Sequence, residues 1–254
     1  MKPIRQSPLK LVREADWWVA TRPWSDSPGP SAEELLRPRA SLRGNSRLVR
    51  TGEGIAVMAD IYIDETENGT ALAEERLARW FDGEPAKTRP DDELMEALLA
   101  ERGLKVEKKE DSWVVNGQVT DVTIRRAEGG FRVEGLLREL DAGDAPARRL
   151  ALAEFLCIAQ EHLRFARVEL NDASALIVAW CDEHTLALDL HHALGSVKAA
   201  CHQLIAQVRA LADPALAEHY LDFVVGREAD AVDGAPASAP EPARLDVVSS
   251  ESQA

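Results

Sequence analysis

Histidine side chains concentrate in the last third of the sequence, where they could ligate a metal ion or carry protons. They are His162, His184, His191, His192, His202 and His219. On a single helix, three of them (184, 191 and 202) recur within about 20° of one face but lie roughly 10 and 16 Å apart along the axis. A metal ion needs ligand atoms about 2 Å away, as an HxxxH pair supplies, and the predicted helix has no such pair. We therefore predict no metal site, and a histidine stripe at a surface or interface that could respond to pH.

Carboxylates offer a second candidate chemistry, the binding of calcium. Asp60, Asp64, Glu65 and Glu67 cluster at the end of a predicted strand. They do not follow the D-x-[DN]-x-[DN]-G order of a calcium-binding loop. The cluster therefore predicts a solvated strand end rather than a calcium site.

Acid–base and nucleotide chemistry are also poorly supported by residue spacing. Glu161 precedes His162, but adjacent side chains on a helix point about 100° apart. No Ser or Cys nucleophile lies in an elbow motif near this pair or near Asp182 and His184. Gly52-Glu53-Gly54 is too short for a dinucleotide loop and lies inside a predicted hairpin. We predict no catalytic residue and no bound cofactor, so the chain is not expected to be an enzyme.

Three tryptophans within eight residues are the most unusual feature of the N-terminal region. Trp17, Trp18 and Trp24 lie among basic residues that include Arg13 and Arg22. Such a segment could stack on RNA bases. Residues 1–50 carry net charge +5, whereas the rest of the chain carries −19. Docking of this basic arm onto the chain's own acidic domain is therefore the favoured interpretation, and the three tryptophans are candidate partner-binding residues.

Charge and composition exclude several classes of partner. The chain has 254 residues and net charge −14, which makes nucleic acid an unlikely partner for the chain as a whole. Its longest apolar run, residues 175–181, is far shorter than the roughly 20 residues that span a bilayer. Cys157, Cys181 and Cys201 are odd in number, lie far apart and follow no signal sequence. They predict reduced core thiols in a cytoplasmic protein with no membrane contact.

Apolar alternation predicts a β-hairpin over residues 47–64. Arg47–Thr51 is the first strand, and five apolar residues recur at every second position of the next strand. They are Ile55, Val57, Ala59, Ile61 and Ile63. After a break at Asn68-Gly69, apolar residues at helical spacing predict a helix. A polar, proline-containing linker over residues 84–90 then marks the predicted domain boundary.

Residues 91–225 predict a unit of helices and antiparallel strands. Asp91 or Asp92 can cap a helix that Gly103 ends. Predicted strands follow at 104–109, 113–115, 119–126 and 131–140, then a helix at 147–163 and strands at 165–170 and 175–181. Asn116-Gly117 is expected to form a two-residue hairpin turn.

A long helix from Asp182 to about Leu211 carries apolar residues at heptad spacing. This seam consists of Leu190, Leu194, Val197, Cys201, Leu204, Val208 and Leu211. Because the chain's own sheet can cover only one side of the helix, the seam predicts a partner surface and a homodimer. The partner-binding residues would be Leu190, Leu194, Val197, Leu204 and Val208. After a short helix from Pro214, residues 226–254 predict a disordered acidic tail.

The order of elements in residues 91–225, the Asn116-Gly117 hairpin and the apolar stripe of 152–163 resemble the type III secretion chaperone-like fold. That fold includes the CesT/Tir chaperone family and its YbjN-like relatives. The resemblance implies a bacterial, acidic homodimer that holds a non-globular client segment against hydrophobic grooves.

The predicted fold class is α+β, with an antiparallel sheet packed on helices. Its expected parts are a basic arm (1–46), a hairpin-plus-helix unit (47–83), the linker, the chaperone-like domain (91–225) and the tail (226–254). The expected function is chaperone-like binding of an extended protein segment, either a protein client or the chain's own N-terminal region. One alternative is an enzyme or small-molecule binder with a pocket between the 47–83 unit and the main domain. Another is an RNA binder that uses the basic arm.

Overall fold

The fold is given by a computed structural model of the chain. It describes residues 10–14, 17–25, 30–39, 42, 44–62, 75–76, 80, 91–117, 119–127, 129–141, 143–182 and 185–232. The predicted break at Asn68-Gly69, the acids at 64, 65 and 67, the linker at 84–90 and the tail beyond residue 232 lie outside these residues. Within them, the last helix reaches Val232, so the prediction of disorder from residue 226 is wrong for its first seven residues.

Two antiparallel sheets and several helices confirm the predicted α+β class. The strands are β1 (Lys10–Glu14), β2 (Trp17–Ser25), β3 (Arg47–Thr51), β4 (Gly54–Tyr62), β5 (Val106–Lys109), β6 (Ser112–Val115), β7 (Val122–Ala127), β8 (Gly130–Glu139), β9 (Arg167–Leu170) and β10 (Ser174–Asp182). The helices are α1 (Ala32–Leu36), α2 (Asp92–Glu101), α3 (Pro146–His162), α4 (Leu186–Ala210) and α5 (Pro214–Val232). The N-terminal sheet has the order β1-β2-β4-β3, and the C-terminal sheet has the order β5-β6-β7-β8-β10-β9.

The predicted hairpin is confirmed as β3 and β4. Thr51 pairs with Gly54, which leaves a two-residue turn between the strands. Ile55 and Ile61 are buried, as the alternation predicts. Asp60, on the opposite face, is fully buried as well. The strand β4 is therefore covered on both faces rather than half-buried.

The N-terminal arm is not an arm in the structure, because β1 and β2 form half of the N-terminal sheet. The sequence predicts a basic arm over residues 1–46, and part of that segment forms these two regular strands. Between Pro8 and Pro23 the sequence contains no proline, so the backbone N–H groups needed for a ladder are present. Pro23 itself lies in β2, where the register with β4 shifts before Ser25. A bulge of this kind tolerates a residue without an N–H donor.

The helix α2 begins and ends where the sequence predicts. The tight hairpin turn that follows it lies at a different position from the predicted one. The Asp91 carboxylate accepts hydrogen bonds from the N–H groups of Glu93 and Leu94, and Gly103 takes a left-handed φ of +61°. The tight turn lies between Lys109 and Ser112, which pair directly.

Asn116-Gly117 belongs to a longer connection, because Val115 pairs with Val122. The prediction of a two-residue turn there is wrong. A Cβ on Gly117 would lie 2.0 Å from the carbonyl oxygen of Thr120, so this glycine serves a compact loop.

The long helix α4 packs across β8 and β10. Gly135 of β8 lies beneath it, where an added Cβ would stand 2.5 Å from Sγ of Cys201 and 2.8 Å from Val197. The glycine therefore lets the helix approach the sheet closely. One hydrophobic core joins this layer to the N-terminal residues, with Leu35, Leu48 and Val57 in the same cluster as Trp113 and Leu152. The division into domains stays a prediction.

Candidate functional site

The three tryptophans singled out in the sequence are all half-buried in β2, each in different surroundings. Trp17 and Trp24 pack against the main core. Trp18 packs on a second cluster that contains Ala59 and Trp80. All three therefore contact the chain's own residues, and their role in binding a separate partner stays a prediction.

Trp17 also belongs to an aromatic cluster between the N-terminal sheet and α4. Its ring centroid lies 5.3 Å from that of Tyr62, 6.0 Å from that of Phe165 and 5.6 Å from that of His192. The His192 ring stacks on Tyr62 at 4.0 Å. Burial, aided by the neighbouring His191 and two arginines, lowers the pKa of His192 to about 4. His192 is therefore a neutral packing group at pH 7. It is not a member of the predicted histidine stripe. His191, which is a member of that stripe, is exposed.

The heptad seam of α4 faces the interior of the chain. Leu190, Val197 and Val208 are completely buried, Leu194 is 6% exposed and Leu204 is half-buried. The strands β8 and β10 lie against this helix. The five predicted partner-binding residues of the seam therefore contact the chain's own core. A homodimer formed through them remains untested, and in this structure their side chains do not form an open surface.

The edge strands of the two sheets meet at a surface that we call the docking contact. It is formed by Asn45, Arg47, Asp60, Gln160, Phe165 and Arg167. The Gln160 side chain joins the two edges: its Nε2 donates to the carbonyl oxygen of Leu48 in β3, and its Oε1 accepts from the N–H of Val168 in β9, both at 2.8 Å. One buried amide thus occupies main-chain groups on both edge strands.

Arg47 and Asp60 form a completely buried ion pair in this contact. The Arg47 guanidinium also donates to the carbonyl oxygens of Gln160 at 3.0 Å and Leu163 at 2.7 Å, at the end of α3. A cation at this position satisfies terminal carbonyls and complements the helix dipole. The sequence predicts Asp60 in a solvated strand end, and that prediction is wrong because Asp60 is buried, paired with Arg47 and bonded to Phe165 just after α3.

The Asp60 carboxylate also supports an unusual backbone conformation at Phe165. Its second carboxylate oxygen accepts the N–H of Phe165, a buried residue with a left-handed φ of +53°. A non-glycine residue in this region costs free energy and persists only when its surroundings hold it. The N-terminal sheet therefore stabilises the path of the chain into β9.

Side chains of the docking contact bind main-chain groups at Leu42 and at residues 44–46. The Nη1 of Arg167 donates to the carbonyl oxygens of Leu42, Gly44 and Ser46 at 3.4, 2.9 and 3.1 Å. The Asn45 amide accepts from the N–H of Trp180 at 2.7 Å and donates to its carbonyl at 3.2 Å. This pair occupies β10 beyond the point where β9 ends, since β9 pairs only up to Val178.

The ion-pair partner of Arg167 is Glu169, with which it forms a buried contact at 2.7 Å. Burial lowers the pKa of Arg167, and the neighbouring carboxylate opposes that shift. Gly44 completes the loop with a φ of +56°. A Cβ at this position would lie 2.3 Å from the indole of Trp80.

At the margin of the docking contact, the N-terminal region supplies the cation to some ion pairs and the anion to others. Arg50 pairs with Glu154 of α3 at 2.6 Å. In the opposite sense, Arg149 reaches Glu33 at 2.9 Å and Arg164 reaches Glu14. The expected picture of a basic arm on an acidic domain is therefore too simple, because arginines of the acidic part bind N-terminal carboxylates.

A second buried ion pair ties the helical residue Arg76 to Asp189 in the first turn of α4. The same carboxylate oxygen accepts from the Thr185 hydroxyl at 2.8 Å and from the N–H of Asp182 at 3.0 Å. Burial raises the pKa of Asp189, and the Arg76 guanidinium opposes that shift. Arg76, which precedes the predicted linker, therefore also packs on the C-terminal part.

Two cavities lie near the docking contact. One of about 10 Å³, between α1 and the edge strands, has room for about one water molecule. The other is a surface depression of about 300 Å³ whose lining includes Glu33, Arg37 and Arg149. If the chain bound a small molecule between its N-terminal and C-terminal parts, unpaired polar groups should converge on a pocket between them. The polar groups of the docking contact named above are instead bonded to one another or to main-chain atoms.

The cysteines, the potential metal ligands and the helix lengths bear on three further predictions. The three cysteines are free and buried, which confirms the prediction of core thiols. Burial raises the pKa of Cys157 to about 11 and that of Cys201 to about 12. In the described part of the chain, no group of three metal-ligating side chains comes together. None of the helices described has the length and apolar character to cross a membrane.

Comparison with known proteins yields one similar structure. No family model and no curated protein matches the chain. A chain of the heterodimeric ExoU-SpcU complex from the type III secretion system of Pseudomonas aeruginosa is similar, with 16% identity and a TM-score of 0.36. The similarity covers 47% of this chain and 98% of the other.

Sequence reasoning missed the residues that form the docking contact. A signal was present for Gln160, a polar residue that falls within the apolar stripe of α3. Another was Arg167 with Glu169, two charges in a short strand that is otherwise apolar. A charged or amide side chain at a core position needs a partner, but the sequence does not say which one.

Proposed function

We propose that the chain is a non-enzymatic, chaperone-like module that binds a polypeptide segment at the docking contact, where its own N-terminal residues lie. The observation that carries this proposal is the way the main chain of Leu42 and of residues 44–46 is held. Arg167 donates to three main-chain carbonyls, and β10 offers the main chain of Trp180. Every polypeptide has such groups, so a surface of this kind can accept segments of different sequence.

The margin of the docking contact supplies selectivity. Glu154, Arg149 and Arg164 pair there with charges of the N-terminal region. Partly exposed pairs of this kind contribute little to affinity but favour the correct register and disfavour like charges. A segment bound at this surface would therefore place a basic residue near Glu154 and acidic residues near the two arginines.

We further propose that the protein acts as a homodimer in a reducing cytoplasm. Three free thiols, all buried, fit an environment in which disulfides do not form. The apolar seam of α4 is turned inward, so the dimer would use a different surface.

The test uses the full chain with a site-specific protease sequence in place of residues 84–90. After cleavage, a labelled 1–83 fragment is added and its binding is followed by fluorescence anisotropy. We expect the labelled fragment to exchange into the docking contact and extended peptides to compete with it. Arg167→Ala should accelerate release, because three main-chain hydrogen bonds are lost. Arg125→Ala, an exposed arginine outside the contact, is the matched control.

A cleaved chain whose fragments never exchange would contradict the proposal. The N-terminal residues would then be a permanent part of one fold. Equal release rates for the Arg167 and Arg125 variants would show that main-chain recognition by Arg167 does not hold the segment.

A further inference from the structure

Three of the four sheet edges are protected in ways that native proteins commonly use. The outer edges of β3 and β9 are bonded to Gln160. The edge strand β5 has four residues, and two of them are Lys108 and Lys109, a composition that discourages pairing with another chain.

The fourth edge, β1, is also short and charged, but the order of its charges allows it to pair with a copy of itself. Among the described residues, no strand pairs with its outer side. Its central residue, Val12, is 40% exposed. An open edge strand with an exposed β-branched residue is a template for another strand.

The sequence of β1 is complementary to itself. It reads Lys10-Leu11-Val12-Arg13-Glu14. In an antiparallel pair centred on Val12, Lys10 of one copy stands opposite Glu14 of the other, and this contact occurs twice. Opposite charges in directly facing cross-strand positions are stabilising, whereas like charges are destabilising.

We propose that β1 pairs antiparallel with β1 of a second copy of this chain, about a two-fold axis that passes between the two Val12 residues. The two N-terminal sheets then form one continuous eight-stranded sheet. Because the axis is perpendicular to that sheet, the two Val12 side chains meet on the same face. This surface is the one for the homodimer proposed above. Of the residues named for the docking contact and its margin, it includes Glu14 alone.

The existing contact of Glu14 is compatible with this arrangement. Its Oε2 binds Arg164 of the same chain, and the side chain is still 47% exposed. The other carboxylate oxygen can accept from Lys10 of the second copy. A pairing of five residues on each side buries less area than a standard stable interface, so we expect a dimer in the micromolar range.

Sedimentation of the full chain from about 1 to roughly 300 μM tests the pairing directly. The wild-type protein should become dimeric with rising concentration. Lys10→Glu places two pairs of like charges across the axis and should raise the dissociation constant about tenfold or more. Glu14→Lys should do the same. Lys108→Glu, the same charge change on the edge strand β5, should leave the constant unchanged.

Mixing the two single variants provides the decisive measurement. One copy with Lys10→Glu and one with Glu14→Lys restore opposite charges at both positions, so a heterodimer should form where neither variant dimerises alone. Circular dichroism checks that each variant is folded. If Glu14→Lys folds, the double variant Lys10→Glu/Glu14→Lys should recover the wild-type constant. If Glu14→Lys does not fold, Val12→Lys replaces it in the sedimentation series and should also raise the dissociation constant.

A wild-type chain that stays monomeric over this concentration range would overturn the inference. So would a dimer that is unaffected by both charge reversals, since it would use another surface. A monomer would also overturn the homodimer proposed above. Either result leaves the exchange experiment on the docking contact unaffected, so segment binding and the β1 pairing fail separately.

Discussion

Removing the Asp60 carboxylate is the sharpest test of how the two sheets are joined. In the Asp60→Ala variant, the Arg47 guanidinium remains buried without its counter-ion, and the N–H of Phe165 loses its acceptor. The left-handed backbone at Phe165 also loses its support. No other side chain among those described supplies a carboxylate to Arg47.

The expected loss of unfolding free energy follows from burial. Breaking a buried ion pair by removing one partner costs about 3–5 kcal/mol, because the remaining charge stays uncompensated. The unpaired N–H would cost about 1–3 kcal/mol by itself, but it belongs to the same network and is not simply additive. We therefore expect a loss of about 3–5 kcal/mol, a large share of the roughly 5–15 kcal/mol that stabilises a native domain.

Urea unfolding followed by tryptophan fluorescence and by circular dichroism measures this loss. With a slope of about 2 kcal/mol/M, the midpoint should fall by about 2 M. Asp111→Ala removes a carboxylate of the same size from an ion pair with Arg126, and that carboxylate is 87% exposed. An exposed pair contributes about 0–1 kcal/mol, so this control should shift the midpoint by less than about 0.5 M. Equal shifts in the two variants would refute the reasoning from burial.

Three further predictions concern single positions. Gly44→Ala should lower the thermal midpoint by several degrees, because the added Cβ meets Trp80 at a left-handed φ, whereas Gly52→Ala, with open space around it, should have almost no effect. The lowered pKa of His192, about 4, means that the unfolded chain binds the proton more readily, so stability should decline as the pH falls from about 6.5 towards 4. His192→Phe should flatten that decline in urea titrations at several pH values, and the exposed His202→Gln should not. Burial raises the pKa of all three thiols, so a thiol reagent at pH 8 should react slowly with the native protein and rapidly in urea; fast labelling of the native protein would contradict this.

Local patterns predicted the elements whose signals lie within a few residues. The alternation of Ile55 to Ile61 defines β4, and the Asp91 cap and Gly103 define the ends of α2. The apolar stripe of α3 and the long run of α4 are helical at the expected places. Each of these signals depends on a repeat of about 2.0 or 3.6 residues, or on a single capping side chain, and therefore needs no knowledge of the rest of the chain.

Tertiary structure decided everything that depends on what packs against an element. The same carboxylate would be solvated on an open strand, but Asp60 is buried against Arg47 and the residues that follow α3. The sequence pattern of the α4 seam predicts a surface for a partner, but the chain's own sheet covers it. Gly135 allows this sheet and α4 to approach each other closely. The tryptophan-rich arm became part of a sheet because β4 offered an edge to β2. Pairing between distant strands and the burial of a lone polar group are non-local, and they are determined only when the whole chain has folded.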